Sequence, residues 1–369
     1  MRTLLVLLLL AAPAFGNVDI TVGTTQVGLK PQYGYSPATL TNAGRPIMDS
    51  LSGNGTVIKV KQPYEWAGSW HGHETVESTS LFIDGVSEPV TDAPHTATNS
   101  AVFTRNTVLA DSYRLTHTMN ITSGRVSESA HFVGITGGSV LEVFYGWLGT
   151  RSNRLTRYAA FDQYGNVLAS GQTIANNDAL PLVFMPNPGA GEFATVAVAQ
   201  YDPIAGDGVM TSYALPPGLW TGSAIHDRGG DNKLYLGLGN YGPPDGQDFT
   251  ILETLMFFTT PVQGWEAAAL ASIATTGDMN GDGDVDNFDI QPFELALTDW
   301  AAYKTQYPLI YFRGKQGDIN HDGQFDNFDI NYLERLLTGG AIAVPEPGTL
   351  ALSVAAILAM LLLSFRRLR

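Results

Sequence analysis

One short pattern occurs twice near the C-terminal end of the chain, and it constrains the fold more than any other stretch. The two copies read GDMNGDGDVDNFDI at 277–290 and GDINHDGQFDNFDI at 317–330. Their first acidic residues, Asp278 and Asp318, lie 40 positions apart. Asp and Asn at alternating positions around a glycine bring several oxygen atoms within reach of one hard cation. The sequence therefore predicts two metal-binding loops.

The donor positions in each loop are those of a calcium loop. Oxygen-bearing side chains fall at positions 1, 3, 5 and 12, position 7 offers its backbone carbonyl, and a glycine at position 6 permits the sharp turn. Mixed carboxylate, amide and carbonyl oxygens favour Ca²⁺ over Mg²⁺, which prefers strict octahedral geometry. The predicted ligands of two Ca²⁺ ions are Asp278, Asn280, Asp282, Asp284 and Asp289 in the first loop, and Asp318, Asn320, Asp322, Gln324 and Asp329 in the second.

Apolar residues with helical spacing follow each loop. They are Ile290, Phe293 and Leu297 after the first loop, and Ile330, Leu333 and Leu337 after the second. Val285 and Phe325, at position 8, are predicted to face each other in a small shared core. Since neither half buries much apolar surface alone, ion binding and folding should be coupled.

A duplicated loop with an exiting helix, no entering helix and Asp at position 12 resembles the type I dockerin module, over about 277–337. The resemblance implies two bound calcium ions and a cohesin-like protein partner. Positions 10 and 11, which help to choose that partner and are commonly Ser-Thr in the family, are Asn287-Phe288 and Asn327-Phe328 here. The spacing is also lengthened by residues 299–308. These departures leave calcium binding intact and put cohesin docking in question.

Both ends of the chain read as targeting segments. Residues 1–16 combine Arg2, an apolar run and small residues before Asn17, which predicts a cleaved signal peptide. At the other end, residues 347–365 carry no charge and precede three arginines. A helix of that length rises about 28 Å, enough to cross the hydrocarbon core of a membrane.

The motif Val344-Pro345-Glu346-Pro347 stands directly before that apolar segment. A short VPEP motif, an apolar helix and an arginine cluster, in this order over 344–369, resemble the PEP-CTERM sorting signal of certain bacteria. The resemblance implies processing by an exosortase-type enzyme, followed by release or attachment at the cell surface. The alternative is a plain membrane anchor that is never cleaved.

Residues 17–262 alternate between apolar and polar positions like half-buried strands. With 40 glycines and 20 prolines separating short runs, the pattern favours a large antiparallel β-sandwich. The strands predicted most clearly are 56–61, 101–109, 113–121, 125–135, 140–146, 194–200, 233–238 and 250–259. Residues 263–276 are predicted to form a linker helix before a calcium-binding domain at 277–340. The predicted fold class is thus mainly β, followed by a small α-helical dockerin-like domain and a transmembrane helix.

Composition excludes several functions. The chain has no cysteine, so it can form neither a disulfide framework nor a thiolate metal site. A formal charge of −15 makes nucleic acid and anionic lipid surfaces poor partners. None of the common nucleotide-binding, hydrolase or metalloprotease motifs is present.

The stretch 66–74 is the one part of the β region with candidate site chemistry. On a strand, His71 and His73 would project from one face, as transition-metal ligands often do, with His226 and Asp227 as further donors. Trp66 and Trp70 could instead stack on a sugar. Solvated histidines and tryptophans packed in the core are the plainer interpretations.

The strand rhythm of residues 71–149 resembles the galactose-mutarotase-like β-supersandwich, a group that includes sugar epimerases and non-catalytic domains of polysaccharide lyases. No catalytic residue transfers from that resemblance to this chain. The sequence therefore leads to an exported cell-surface protein without an assigned catalytic residue, with calcium, a cohesin-like protein and a polysaccharide as candidate partners. The alternative is a polysaccharide-active hydrolase or lyase whose catalytic part is residues 17–262.

Overall fold

The computed structural model describes residues 17–338, except for 49–53, 61–65, 70–71, 136–139, 152–153, 163–164, 173–182, 186–195, 215–222, 229–230, 236–247, 262, 273–274, 282–283, 308–315 and 323. The predicted signal peptide and sorting segment lie outside these residues. Within the described part of the chain, no helix is long and apolar enough to span a membrane. The chain divides into two compact units, with the division between Ile273 and Ala274.

The first unit is built from strands. In chain order they are β1 Val18–Val22, β2 Thr25–Lys30, β3 Ser36–Asn42, β4 Arg45–Met48, β5 Asn54–Val60, β6 Trp66–Gly68, β7 Glu74–Ile83, β8 Val86–Glu88, β9 His95–Ala97, β10 Ser100–Leu109, β11 Tyr113–Thr122, β12 Arg125–Gly134, β13 Val140–Arg151, β14 Arg157–Phe161, β15 Val167–Gln172, β16 Val183–Met185, β17 Ala197–Asp202, β18 Asp207–Ala214, β19 Ser223–Arg228, β20 Asp231–Tyr235 and β21 Phe249–Thr259. The predicted mainly β fold is confirmed.

These strands form three sheets. The largest has ten strands in the order β15-β14-β17-β18-β21-β12-β11-β10-β7-β8, all paired antiparallel. A five-stranded sheet runs β4-β3-β2-β1-β9, with a parallel pair between β1 and β9. A six-stranded sheet runs β16-β19-β20-β13-β5-β6. Buried residues from all three sheets join one core.

Strict alternation explains the long strands of the largest sheet. In β10 every second residue is buried, from Ala101 through Phe103 to Leu109, and the same period continues in β11 and β12. The period of two turns successive side chains to opposite faces, so one face of these strands enters the core. Phe132 stacks on Phe249 with ring centroids 4.6 Å apart, which locks β12 against β21.

Helix α1, Trp265–Ala271, follows the last strand and packs on the β unit. Trp265 is 3% exposed and stacks on Tyr201 of β17 with ring centroids 5.0 Å apart. The segment predicted as a linker helix is therefore anchored to the sheet by its first residue.

The second unit contains α2 Ile290–Thr298, α3 Trp300–Gln306 and α4 Ile330–Leu337, with 3-10 turns at Asn287–Asp289 and Asn327–Asp329. Its core consists of Met279, Phe293, Ala296, Tyr303, Ile319 and Leu333. Helices after both loops were predicted from the apolar spacing. The helices begin at the first residues of that spacing, Ile290 and Ile330, each of which is 40% exposed.

Candidate functional site

The two repeated loops share one hydrogen-bond scheme centred on the aspartate at position 12. In the first loop Asp289 Oδ1 accepts from the amides of Met279 and Asn280, at 2.6 and 3.0 Å, and its Oδ2 accepts from Asp286 N at 2.9 Å. Asp286 in turn accepts from Phe288 N at 2.7 Å, completing a capping box. The carboxylate thus ties the start of the loop to the start of the following helix.

The second loop repeats this scheme residue for residue. Asp329 Oδ1 accepts from the amides of Ile319 and Asn320, at 2.8 and 3.1 Å, and its Oδ2 accepts from Asp326 N at 3.0 Å. Like Asp289, Asp329 is fully buried. Burial raises the pKa of Asp329, while the three backbone amides lower it and the charge of Asp318 raises it further.

Side chains at positions 1, 3 and 5 accept hydrogen bonds from amides further along their own loop. Asp278 Oδ1 accepts from Gly281 N at 2.7 Å. In the second loop Asp318 and Asn320 both accept from Asp322 N, at 3.0 and 2.8 Å, and Asp322 accepts from Gln324 N at 2.9 Å. Each bond closes the backbone into a turn around its own side chain.

The donor chemistry of these loops fits a hard cation. A carboxylate has about four lone-pair sites, and the three amide hydrogen bonds to Asp289 or Asp329 leave acceptor capacity on each. Within the described residues, however, three or more His, Asp or Glu side chains do not gather closely enough to hold a metal ion. Asp282, a predicted ligand, lies outside the described residues. Asp284 and Gln324 are exposed at position 7, where the prediction uses their backbone carbonyls.

A glycine precedes each loop because the position-8 side chain occupies the space beside it. A Cβ on Gly317 would lie 2.2 Å from the ring of Phe325, and one on Gly277 would lie 2.9 Å from Val285 and 2.5 Å from Leu336. Phe325 also packs edge-on against Phe293 of α2, with centroids 5.1 Å apart. The position-8 residues therefore contribute to the core of the unit, each seated on the glycine before its own loop.

Both loops expose the aromatic residue at position 11. Phe288 is 76% exposed and Phe328 is 73% exposed, and each stands beside an isoleucine, Ile290 or Ile330, that is 40% exposed. Large apolar side chains exposed in matching pairs differ from apolar residues scattered singly over a surface. We call these four residues the paired apolar surface.

The stretch 66–74 does not form the single strand that the histidine hypothesis requires. The strand β6 ends at Gly68, β7 begins at Glu74, and His73 between them is exposed with a left-handed φ of 53°. His71 and Trp70 lie outside the described residues, as do the side chains of Trp66, His226 and Asp227. The strand geometry proposed for His73 is wrong, because His73 lies outside both β6 and β7.

A row of charged side chains crosses the buried face of the ten-stranded sheet, and sequence reasoning missed it. The row comprises Glu74 on β7, Arg105 on β10, His117 on β11, Glu128 on β12 and Glu253 on β21, and each of these side chains is at most 5% exposed. All of them except Glu74 sit at inward positions of predicted strands, whereas Glu74 begins β7, which was not predicted. Checking the inward positions of each predicted strand for charged residues would have found the other four.

The row is held together by direct contacts. Arg105 Nη1 donates to Glu74 Oε1 at 2.7 Å and to the carbonyl of Gly34, and Arg105 Nε donates to His117 Nδ1 at 3.3 Å. His117 Nε2 lies 2.7 Å from Glu128 Oε2. From Glu74 to Glu128 the row is thus a continuous buried network rather than an open cleft.

Known proteins offer no assignment for this chain. No protein-family model matches it, and no characterised protein matches its sequence. The dockerin and sorting-signal resemblances therefore gain no support from these comparisons.

Among solved structures, similar chains include the galactose mutarotase related enzyme from Lactobacillus acidophilus. It is 9% identical, with a TM-score of 0.40 over 66% of this chain and 98% of that chain. A galactose mutarotase-like protein from Lactobacillus casei is 9% identical, with a TM-score of 0.36 over 66% and 100% of the two chains. An α-N-acetylgalactosaminidase from Bifidobacterium bifidum is 11% identical, with a TM-score of 0.40 over 66% and 36%. The first two belong to the class that the rhythm of residues 71–149 resembles, but values this low establish neither fold nor activity.

Proposed function

We propose that this chain is an exported calcium-dependent docking protein of the bacterial cell surface. Residues 277–337 bind two calcium ions and hold a protein partner of cohesin type, and residues 17–262 contact carbohydrate or matrix. The signal peptide directs export, and an exosortase-type enzyme processes the C-terminal segment. Calcium outside cells is abundant enough to fill even weak sites of this kind.

The observation that supports docking is the paired apolar surface. Phe288 and Phe328 follow equivalent loops, stand at equivalent positions and are exposed to nearly the same extent. Aromatic side chains are the residues that anchor protein interfaces most often. Because the two copies are near-identical, a partner could dock on either one, in two orientations related by the repeat.

Calcium binding is tested by titrating the full chain and following heat release and far-ultraviolet circular dichroism. The double variant Asp289→Ala/Asp329→Ala should lose calcium binding, because both position-12 ligands are gone. Glu294→Gln/Glu334→Gln is the matched control, since these exposed acids occupy equivalent places on α2 and α4. Equal calcium affinity in both double variants, or none in the unmodified chain, would refute the calcium part of the proposal.

Docking is tested with a recombinant type I cohesin domain as the probe, with and without a calcium chelator. We expect Phe288→Ser and Phe328→Ser singly to weaken binding no more than a few-fold, since the other copy remains. The double variant should abolish it. Binding that survives the double variant would show that the paired apolar surface is not the docking site.

The buried row does not supply the catalytic residues of the enzymatic alternative. Arg105, His117 and Glu128 contact one another and are at most 4% exposed, so a polysaccharide does not reach them in this arrangement. Release of reducing sugar from a panel of polysaccharides, lost on His73→Ala or His71→Ala, would establish the enzyme instead. Binding on a glycan array without such release would support the carbohydrate-contacting role.

A further inference from the structure

The two carboxyl groups at the centre of the ten-stranded sheet lie directly opposite each other. Glu128 on β12 and Glu253 on β21 are partners in the antiparallel register, and they are 4% and 1% exposed. Side chains directly opposite in such a pair have Cβ atoms about 4.5–5.5 Å apart. The two carboxyl groups therefore share one interior space.

Glu128 is the hydrogen-bonded member of this pair. Arg105 Nε can only donate, so His117 Nδ1 accepts its hydrogen bond and the imidazole proton resides on Nε2. That proton is donated to Glu128 Oε2 across 2.7 Å. His117 thus orients the carboxyl group of Glu128.

Glu253 has a different environment. Among the described residues neither of its carboxyl oxygens has a hydrogen-bond partner. Burial strongly disfavours an ionised carboxylate without hydrogen bonds, and the neighbouring carboxyl group of Glu128 adds to that effect. Burial, and next the charge of Glu128, raise the pKa of Glu253 well above its usual value.

Among the side chains that the structure describes, the groups around the pair place no cation next to Glu253. Tyr213 of β18 lies opposite Glu253, and His117 and Arg105 lie beyond Glu128 and already contact each other. From the five-stranded sheet, the side chains beside Glu128 are apolar, namely Val27, Pro37, Leu40 and Met48. Neutralisation by a proton is the remaining way to lower the energy of the pair.

We propose that Glu253 is a proton-binding site that holds the two halves of the ten-stranded sheet together. The pair β21–β12 is the central seam of that sheet, with five strands on either side. With the proton in place Glu253 adds no charge to the seam, and loss of the proton puts a negative charge directly opposite Glu128. Deprotonation then loosens the contact between β12 and β21 and opens the sheet along its middle.

The direction of the pH effect follows from which state binds the proton more tightly. Because the folded chain holds the proton of Glu253 at pH values where the unfolded chain has released it, stability falls as pH rises from about 4.5 through the folded-state pKa. Above the unfolded value, each pH unit lowers the folding equilibrium constant by up to about tenfold until the folded group also ionises.

The test compares the unmodified chain with Glu253→Gln, which keeps the shape and cannot ionise. Urea midpoints should fall between about pH 5 and about pH 9 in the unmodified chain and change much less in the variant. Glu77→Gln is the control, because Glu77 is 44% exposed on β7 in the same sheet and should follow the unmodified chain. Parallel pH profiles for the unmodified chain and Glu253→Gln would overturn the proposal.

Infrared spectroscopy at neutral pH provides a second measurement that does not depend on stability. The unmodified chain should show the absorption of a protonated carboxylic acid, which persists in Glu128→Gln and disappears in Glu253→Gln. Absence of that absorption in the unmodified chain would also overturn the proposal. If the absorption disappears in Glu128→Gln but persists in Glu253→Gln, the proton resides on Glu128. That result would refute the assignment to Glu253.

Discussion

Arg105 and Glu74 form an ion pair inside the β unit, with Nη1 and Oε1 2.7 Å apart and side chains 1% and 5% exposed. Arg105 also donates to the carbonyl of Gly34, which connects β10 to the turn before β3. Burial raises the pKa of Glu74 even though Arg105 opposes that shift. The pair therefore positions three segments of chain while carrying a large desolvation cost.

Arg105→Gln should destabilise the chain by about 3–5 kcal/mol, because it leaves Glu74 buried without its cation. Urea unfolding followed by tryptophan fluorescence measures the loss. Arg114→Gln is the control, since Arg114 is 66% exposed and lies 3.8 Å from Glu77; it should cost at most about 1 kcal/mol.

Replacing both partners separates the cost of a buried charge from the benefit of the pair. Arg105→Met/Glu74→Met should recover much of the stability lost in Arg105→Gln, since apolar groups can replace a buried ion pair at little cost. Additive losses in the double variant would show that Arg105 and Glu74 do not act on each other.

The sequence predicted the strands in which apolar and polar residues alternate strictly. Long strands such as β10, β11 and β12 follow the alternation of their sequence to within about one residue. Short strands such as β8 and β9, of three residues each, are too brief to show a period. β8 pairs with its neighbour β7, whereas β9 pairs with the distant strand β1. The pairing of β9 with β1 is tertiary information that local patterns do not contain.

The candidate sites also differ in whether local sequence predicts them. The predicted calcium loops can be recognised from the sequence because all proposed donors of a loop lie within twelve consecutive positions. The buried row does not, because Arg105 and Glu253 lie 148 positions apart and meet only through sheet pairing. The sequence also did not predict that Ile290 and Ile330 are exposed. Helical spacing identifies an apolar stripe along a helix, but it does not show which residues of the stripe pack in the core.

Gly317→Ala should destabilise the second unit, which contains both loops, by about 1–3 kcal/mol, because the new methyl group overlaps the ring of Phe325. Thermal unfolding of the full chain, followed at the transition of this unit, measures the effect. The double variant Gly317→Ala/Phe325→Ala removes the overlap. Its loss should be smaller than the sum of the two single losses, and simple additivity would show that the ring does not occupy that space.

Tyr303→Phe tests whether α3, which lies in the unusually long spacer, stabilises the first loop. Tyr303 is fully buried and its hydroxyl donates to the carbonyl of Met279 at 2.8 Å. Losing that bond should cost about 1 kcal/mol. It should also weaken calcium binding at the first loop more than at the second. Tyr307→Phe is the control, because its hydroxyl contacts exposed Gln306; equal effects from both variants would contradict the assignment.

Asp84 should make the β unit sensitive to acid. It sits at the turn between β7 and β8 with a left-handed φ of 48°, and its carboxylate accepts from the amides of Thr98, Asn99 and Ser100 at 2.7–3.0 Å. These backbone hydrogen bonds lower its pKa below 3.8. Because the folded state binds the proton less tightly than the unfolded state, the stabilisation is complete above about pH 3.8 and is lost as pH falls through the folded-state pKa.

Asp84→Asn keeps the side-chain shape and tolerance for the left-handed backbone but removes the titration. We expect the variant to be less stable than the unmodified chain at neutral pH, and the difference to shrink on acidification below about pH 4. Urea midpoints measured at several acidic pH values detect the convergence. Asp92→Asn, an exposed aspartate after β8, should follow the unmodified chain throughout. A constant difference between Asp84→Asn and the unmodified chain at all pH values would show that the three amides stabilise the turn without favouring the charged carboxylate.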